Sequence, residues 1–437
     1  MPYVVTSVKP RKKKVDLMDF LNYRTTFDMV KPPSRYEITG TRTYYYDNIT
    51  PEKYEESNIS DQIEWLVSFY DRYKHLDICN NHSDYNYELQ LEIIKSYKNQ
   101  GLSESEAISK CKIDLREKGY KYFELYDTFW VPKNSSKPGH MKWRRIDSPC
   151  GELKQCLSEL KCIFECMMDG CFYHTAAFAY IPGRSARDAV RKHANNKSNW
   201  FLKLDFSNFF GSTTIDFVLN MLSEVFPFSE IVKVERGREA LKNCLNLGFL
   251  NGGLPQGTPL SPTLTNIMMI VIDYKINKSL NDIKVVSPSE NEFSFVYTRY
   301  ADDIIISNRI NFDKDKIIAL VKSVLAEYNA PFKINDTKTQ YRSNAGSNWM
   351  LGLMLNQEHK VTVGYKRKKL LKATITRYMT ERSSGIYWDL EDVQHLQGEI
   401  AYCHAIEPET IDYILNSYSV KFGNIKEAIK ADLKRAA

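Results

Sequence analysis

The chain has 437 residues, 43% of them hydrophobic and 26% charged. That is the composition of an ordinary globular protein, too long for one small core and of a size for about three domains. Its 60 Lys and Arg exceed its 54 Asp and Glu by only six, so any basic surface must come from local clustering rather than bulk charge. No apolar run approaches the roughly 18 residues of a membrane span, which leaves no membrane partner to expect.

In chain order, residues 1–20 open polar and carry Lys9-Pro10-Arg11-Lys12-Lys13-Lys14, which reads either as an arm for a phosphate backbone or as a solvated terminus. Helical periodicity follows between 50 and 125, as in Ile63 through Tyr70 and again after Gly101-Leu102-Ser103, a helix start. Residues 1–125 are therefore expected to form an α-rich extension without motif chemistry of its own. The nine cysteines are odd in number and follow no secretory signal, so a reduced, cytoplasmic setting is the expectation. Cys162 and Cys166 lie one turn apart in an apolar helical run near Cys171 and His174. Without Cys-x-x-Cys pairs they read as buried thiols rather than zinc ligands.

From about 126 the pattern turns to strands. Phe129 through Lys133 and Met141 through Asp147 flank a Gly/Ser/Pro-rich turn, a hairpin bearing Lys133 and Arg144, residue types that suit phosphate oxygens. Trp200 through Phe210 is an apolar strand that reaches Asp205 and then turns at Phe209-Phe210. Asn251 through Pro262 packs three glycines and three prolines into twelve residues, a rigid loop with exposed backbone. A helix over about 263–272 should follow, with Ser261 or Thr263 available as its cap. Tyr297 through Ile306 places Asp302 and Asp303 between two apolar, β-branched runs, which reads as strand, tight turn, strand. Adjacent carboxylates repel, and a divalent cation is the usual remedy, although a surface hairpin would carry the same pair. Asp205 is the remote partner such a site needs. Two strands of one sheet could bring Asp205 and Asp302 together as the floor of a two-metal site, with ions about 3.5–4 Å apart.

Taken together, Leu204-Asp205-Phe206 through Phe210, Gly253-Leu254-Pro255-Gln256-Gly257 with Ser261-Pro262 and Asn266, and Tyr300-Ala301-Asp302-Asp303 resemble the three catalytic motifs of the reverse transcriptases. Lys338 resembles the lysine of the fourth motif, and Leu351-Gly352-Leu353 the turn of the fifth, which grips the primer. The resemblance is strong over about 125–360. It implies an α+β right-hand polymerase, with fingers over 126–199, palm over 200–360 and a helical thumb over 361–437. It also implies two Mg²⁺ ions, with Mn²⁺ as a substitute, ligated by Asp205, Phe206 and Asp302, with Asp303 completing the catalytic set. Lys133, Arg144, Phe210, Gln256 and Lys338 become nucleotide contacts, Phe210 as the aromatic that rejects a 2′-OH. Gly257, Tyr300 and Gly352, with the basic run Lys366, Arg367, Lys368 and Lys369, become primer or template contacts.

Within the family the chain is similar to the bacterial lineage of retron, group II intron and phage-defence enzymes, through Gly183-Arg184-Ser185, Ala189 and His193. Three residues separate Ala189 from His193, and Val361-Thr362-Val363 lacks the glycine of the retron Val-Thr-Gly signature. These departures point to the stand-alone defence-associated enzymes. That resemblance implies dNTPs as substrates, a cognate structured non-coding RNA as template, a DNA product, anti-phage function and, in some members, homo-oligomers. The alternatives are a retron enzyme making branched RNA-linked DNA and an RNA-templated RNA polymerase. Priming on a protein hydroxyl also stays open, since none of the 28 tyrosines stands out.

Overall fold

The computed structural model describes residues 56–77, 87–120, 125–132, 143–168, 173–286, 292–345 and 348–436. The basic run Lys9–Lys14, Lys133 and Cys171 lie outside the described residues. The strands are β1 (Tyr126–Pro132), β2 (Trp143–Pro149), β3 (Trp200–Ser207), β4 (Val285–Val286), β5 (Glu292–Phe293), β6 (Val296–Tyr300), β7 (Asp303–Asn308), β8 (Lys333–Ile334), β9 (Gln340–Ser343), β10 (Asn348–Met350), β11 (Leu353–Leu355) and β12 (Val361–Thr362). Together with the helices they make a mixed α/β fold of several small antiparallel sheets.

The chain divides into two compact units, and the division falls inside β3, between Asp205 and Phe206. The first comprises Met1–Tyr180, Phe206–Ser279 and Ile317–Asn335. Its helix Glu56–Tyr73 buries Trp65, Leu66 and Phe69 and packs on the helices Gly151–Met167 and Glu235–Asn246. A neighbouring pair, Tyr87–Asn99 and Glu104–Glu117, begins its second helix as the sequence indicates: Ser103 caps it, and Glu106 returns the bond to the Ser103 amide at 2.9 Å. Cys156 and Cys162 are buried within the helix Gly151–Met167.

Also in this unit, β1 and β2 form the expected hairpin, with Val131 opposite Arg144. Phe206, at the end of β3, pairs with Ile334 of β8, and its ring packs 4.8 Å from Phe332, which in turn meets Phe209 and Phe217. The helix expected over 263–272 is instead two, Ser261–Met268 and Ile270–Asn281, divided at Met269. Its cap is neither Ser261 nor Thr263. The hydroxyl of Thr258, three residues upstream, accepts from the Ser261 amide at 3.1 Å, and Pro262 occupies the first turn.

The second unit comprises Ile181–Asp205, Leu280–Lys316 and Asp336–Ala437. Its sheet runs β6-β7-β3-β9, all antiparallel, with Leu202 at its centre between Ile306 and Tyr341. The helix Ala186–Asn195 buries Ala189, Val190, His193 and Ala194 as one stripe and packs on β6, β11 and β12. The small sheet β10-β11-β12 leads into four helices, Tyr365–Ser383, Leu390–Ile406, Pro408–Phe422 and Ile425–Ala436. Leu371, Ile375, Tyr378, Leu396, Ile411, Ile414 and Leu415 join Phe201 and Ile305 in one core. Tyr413, between the buried Ile411 and Ile414 of the same helix, points to solvent. Among the described residues no helix is long and apolar enough to cross a membrane.

Candidate functional site

In the second unit, β6 and β7 are joined by the two-residue turn Ala301-Asp302, so the expected strand, tight turn and strand are present. Tyr300 pairs with Asp303 across the hairpin, and Asp303 pairs with Asp205 across the next ladder. Residues directly opposite one another in an antiparallel pair present their side chains on the same face, so Asp205 and Asp303 share one. The sequence pattern suggests Asp302 as the partner of Asp205. The ladder puts Asp303 opposite it instead, because the tight turn takes up Ala301 and Asp302 and β7 starts one residue later.

The Lys338 ammonium answers this negative charge, donating to both Asp205 oxygens at 2.7 and 2.9 Å. Asp303 keeps part of its own surface in water, yet the protein packed around its carboxyl group, and then the Asp302 and Asp205 charges, raise its pKa to about 6. Lys203, two residues before Asp205, reaches the Trp349 carbonyl. Burial, reinforced by Arg342, lowers the Lys203 pKa to about 8, and Asp303 pulls the other way. Lys203, Asp205, Asp303, Lys338, Gln340 and Trp349 line one cleft.

Among the described residues no three His, Cys, Asp or Glu side chains converge closely enough to cage an ion unaided. The donor set nevertheless suits Mg²⁺: hard carboxylate oxygens, crowded until one of them resists ionisation, are what a divalent cation relieves.

In the first unit the glycine-rich loop is tied to the β1–β2 hairpin. The Asp147 amide donates to the Gln256 carbonyl at 2.7 Å. Gly257 has φ +118, and a Cβ there would lie 2.8 Å from Ile146 Cγ2, so only glycine fits. The Leu254 amide donates to the Phe210 carbonyl at 3.0 Å, fixing the loop to the turn after β3. Phe210 itself is half-buried, its ring edge-on to Phe209 at 5.6 Å. Trp143, Arg144, Arg145, Asn208, Gly211 and Gln256 border a second cleft, which brings together Arg144 and Gln256. Arg145 is anchored to Asp147 at 2.8 Å.

Gly352, at φ +76, forms with Leu351 the expected turn between β10 and β11. The basic run beyond it is not uniform. Arg367 is clamped by both oxygens of Glu399 at 2.6 and 2.7 Å, and Lys368 pairs with Glu407 at 3.0 Å, whereas Lys366 and Lys369 are exposed. Adjacent positions face different ways on a helix, so the inner two serve packing against the following helices.

Two residues went unassigned in the sequence. Arg299 is fully buried and donates to the Ala301 carbonyl at 3.2 Å; its place beside the acidic pair was the one local signal. His193 is buried between Ser307 at 2.6 Å and Thr298 at 2.8 Å, partners more than 100 residues away in the chain that spacing does not announce.

Residues 131–371 match the family described as Reverse transcriptase (RNA-dependent DNA polymerase), a stretch of more than half of the 437-residue chain. The chain belongs to that family and is a reverse transcriptase. It is 29% identical over 260 residues to the retron Ec73 reverse transcriptase of Escherichia coli, an alignment covering 57% of this chain and 77% of that protein. Identity to the retron Ec83 reverse transcriptase of the same organism is 26% over 299 residues, covering 67% and 86%. Among solved structures, apo telomerase of Candida tropicalis, truncated from its C-terminal domain, aligns over 54% of each chain at 15% identity. The TM-score of that alignment is 0.35. The sequence departures at Ala189–His193 and Val363 rank the stand-alone defence-associated group ahead of the retron enzymes; these relatives favour the reverse order.

Proposed function

We propose that this reverse transcriptase is a retron-type RNA-directed DNA polymerase that extends a primer hydroxyl at Asp205, Asp302 and Asp303. The observation that carries the reading is the pairing of Asp205 with Asp303 on adjacent strands of one sheet, with Asp302 in the turn that leads into the second of them. In this reading residues 126–199, 200–360 and 361–437 act as fingers, palm and thumb behind the extension 1–125. Asp205 and Asp302, with the Phe206 main chain, hold two Mg²⁺ ions, and Asp303 supports them. Bound there, the ions lower the cost of ionising the attacking hydroxyl and neutralise charge on the transferred phosphoryl group.

The chain's own residues supply the rest. Lys338 pairs with both Asp205 oxygens and brings a positive charge to the carboxylates. Lys133 and Arg144 take the triphosphate, Gln256 and Gly257 the template side, and Phe210 occupies the space a 2′-OH requires. Tyr300 and Gly352 contact the primer strand. The template is a cognate structured RNA, and the product, following the retron reading, is DNA joined to RNA, made in a defence setting. The retron relatives support this choice.

The test is dNTP incorporation on an RNA template with Mg²⁺ by purified Asp205→Asn and Asp302→Asn proteins whose circular dichroism matches the parent. Loss of incorporation in both is expected, and retention in either overturns the site. A parent that prefers rNTPs would point to an RNA-templated RNA polymerase instead.

A further inference from the structure

We infer that Arg299 is a positioning residue for the carboxylates of the β6–β7 turn. It rests on the reading of Asp302 as a metal ligand. Arg299 lies three residues before Asp302, on the last turn-side residues of β6, with no exposed surface. A guanidinium carries five donors and its charge at every accessible pH, so a buried one is held by several partners, of which the turn carbonyl is one. Here Nη1 donates to the Ala301 carbonyl at 3.2 Å.

Ala301 is the first residue of the turn and sits at φ +57, a region that a residue with a Cβ enters at a cost. An anchored carbonyl holds that peptide in place. The peptide between Ala301 and Asp302 sets where the Asp302 carboxylate points, and the following residue, Asp303, starts the strand that faces Asp205. Arg299 therefore acts on the metal-binding geometry from inside the hairpin without touching substrate.

The experiment measures Mn²⁺ affinity by the loss of the free-ion paramagnetic resonance signal. It uses the full chain on an RNA template with a 3′-deoxy-terminated primer and the matching dNTP. Variants are Arg299→Lys, Ala301→Gly, the double variant and Asp302→Asn. Arg299→Lys keeps the charge but not the planar reach, and its Mn²⁺ affinity should fall at least fivefold while template–primer affinity stays within twofold. Glycine accepts φ +57 without the anchor, so adding Ala301→Gly should recover at least half of that loss on a logarithmic scale.

Unchanged Mn²⁺ affinity in folded Arg299→Lys overturns the inference, as does a loss that Ala301→Gly fails to repair. If Arg299→Lys does not fold, restoration of folding by Ala301→Gly supports the inference; continued failure to fold makes Arg299 a general core residue and overturns it. Asp302→Asn separates the two readings. Full Mn²⁺ binding in that protein removes the metal-site reading itself, whatever Arg299 does.

Discussion

Lys338 and Asp205, 133 positions apart in the chain, meet through two hydrogen bonds of 2.7 and 2.9 Å, one to each carboxylate oxygen. The lysine side chain is largely in solvent while the aspartate is nearly buried, so the pairing places a cation beside three acidic side chains and contributes little to stability. Lys338→Met is expected to lower single-turnover dNTP incorporation by about 10²-fold, the low end of what losing one preorganised hydrogen-bond donor costs. The melting temperature should move little. A rapid-quench measurement showing parental rates would remove Lys338 from the site.

Phe210 lies five residues past Asp205 and is fixed at its backbone by the Leu254 amide and at its ring by Phe209. Because the main-chain bond survives truncation, Phe210→Ala should keep the turn and open space at the ring position. The ratio of incorporation efficiencies for dCTP over CTP should drop by roughly 10- to 100-fold, the range steric pockets achieve. Equal discrimination by parent and variant would assign the exclusion to another residue.

The sequence made the hairpin legible because alternation, β-branching and an Asp-Asp break converge on one short segment, Tyr297–Ile306. The loop at Gly257 was legible for the same kind of reason: its glycines and prolines permit few backbones. Pairings between distant segments were not. Nothing local to Arg367 and Lys368 distinguishes them from Lys366 and Lys369, since the acids that claim them, Glu399 and Glu407, come from later in the chain. The one-residue offset that sets Asp303 opposite Asp205 depends on turn length, which composition leaves open. The bond from the Ser261 amide to Thr258 is not legible in the sequence because the loop, not a cap position, supplies the hydroxyl.

His193 gives the fold a defined response to acid. The Ser307 hydroxyl donates to Ser198, so its oxygen receives the proton on His193 Nδ1, and Nε2 accepts from Thr298. That arrangement needs a neutral ring, and burial, reinforced by Lys192 and Lys203, lowers its pKa to about 3. Between the unfolded value of about 6.5 and that folded value, the unfolded chain binds more protons, so stability falls as pH drops, by up to about 1.4 kcal/mol per pH unit. Asp303 works the other way. Its raised pKa favours the folded state below about 4 and loses that contribution as pH climbs through about 6. His193→Gln should lose less stability than the parent between pH 6.5 and 5 in urea melts, although it starts lower. Parallel losses would mean that His193 is not the acid-sensitive group.

The exposed lysines at the start of the helix Tyr365–Ser383 should carry its nucleic-acid binding. Lys366 and Lys369 lie three residues apart, on the same side of the helix, and both are exposed, while Arg367 and Lys368 are held by Glu399 and Glu407. Removing one lysine–phosphate interaction should reduce the slope of log affinity against log salt by about one, with similar weakening for every sequence. Lys366→Gln with Lys369→Gln is therefore expected to lower the slope for an RNA–DNA duplex by about two and leave the melting temperature unchanged. Arg367→Gln should do the reverse: the slope stays, and the fold loses up to about 1 kcal/mol, because the Arg367–Glu399 pair is lost from a partly exposed site. Filter binding across a salt series separates the two outcomes, and a slope change in Arg367→Gln equal to that of the lysine pair would show that the helix binds through all of its cations rather than through one face.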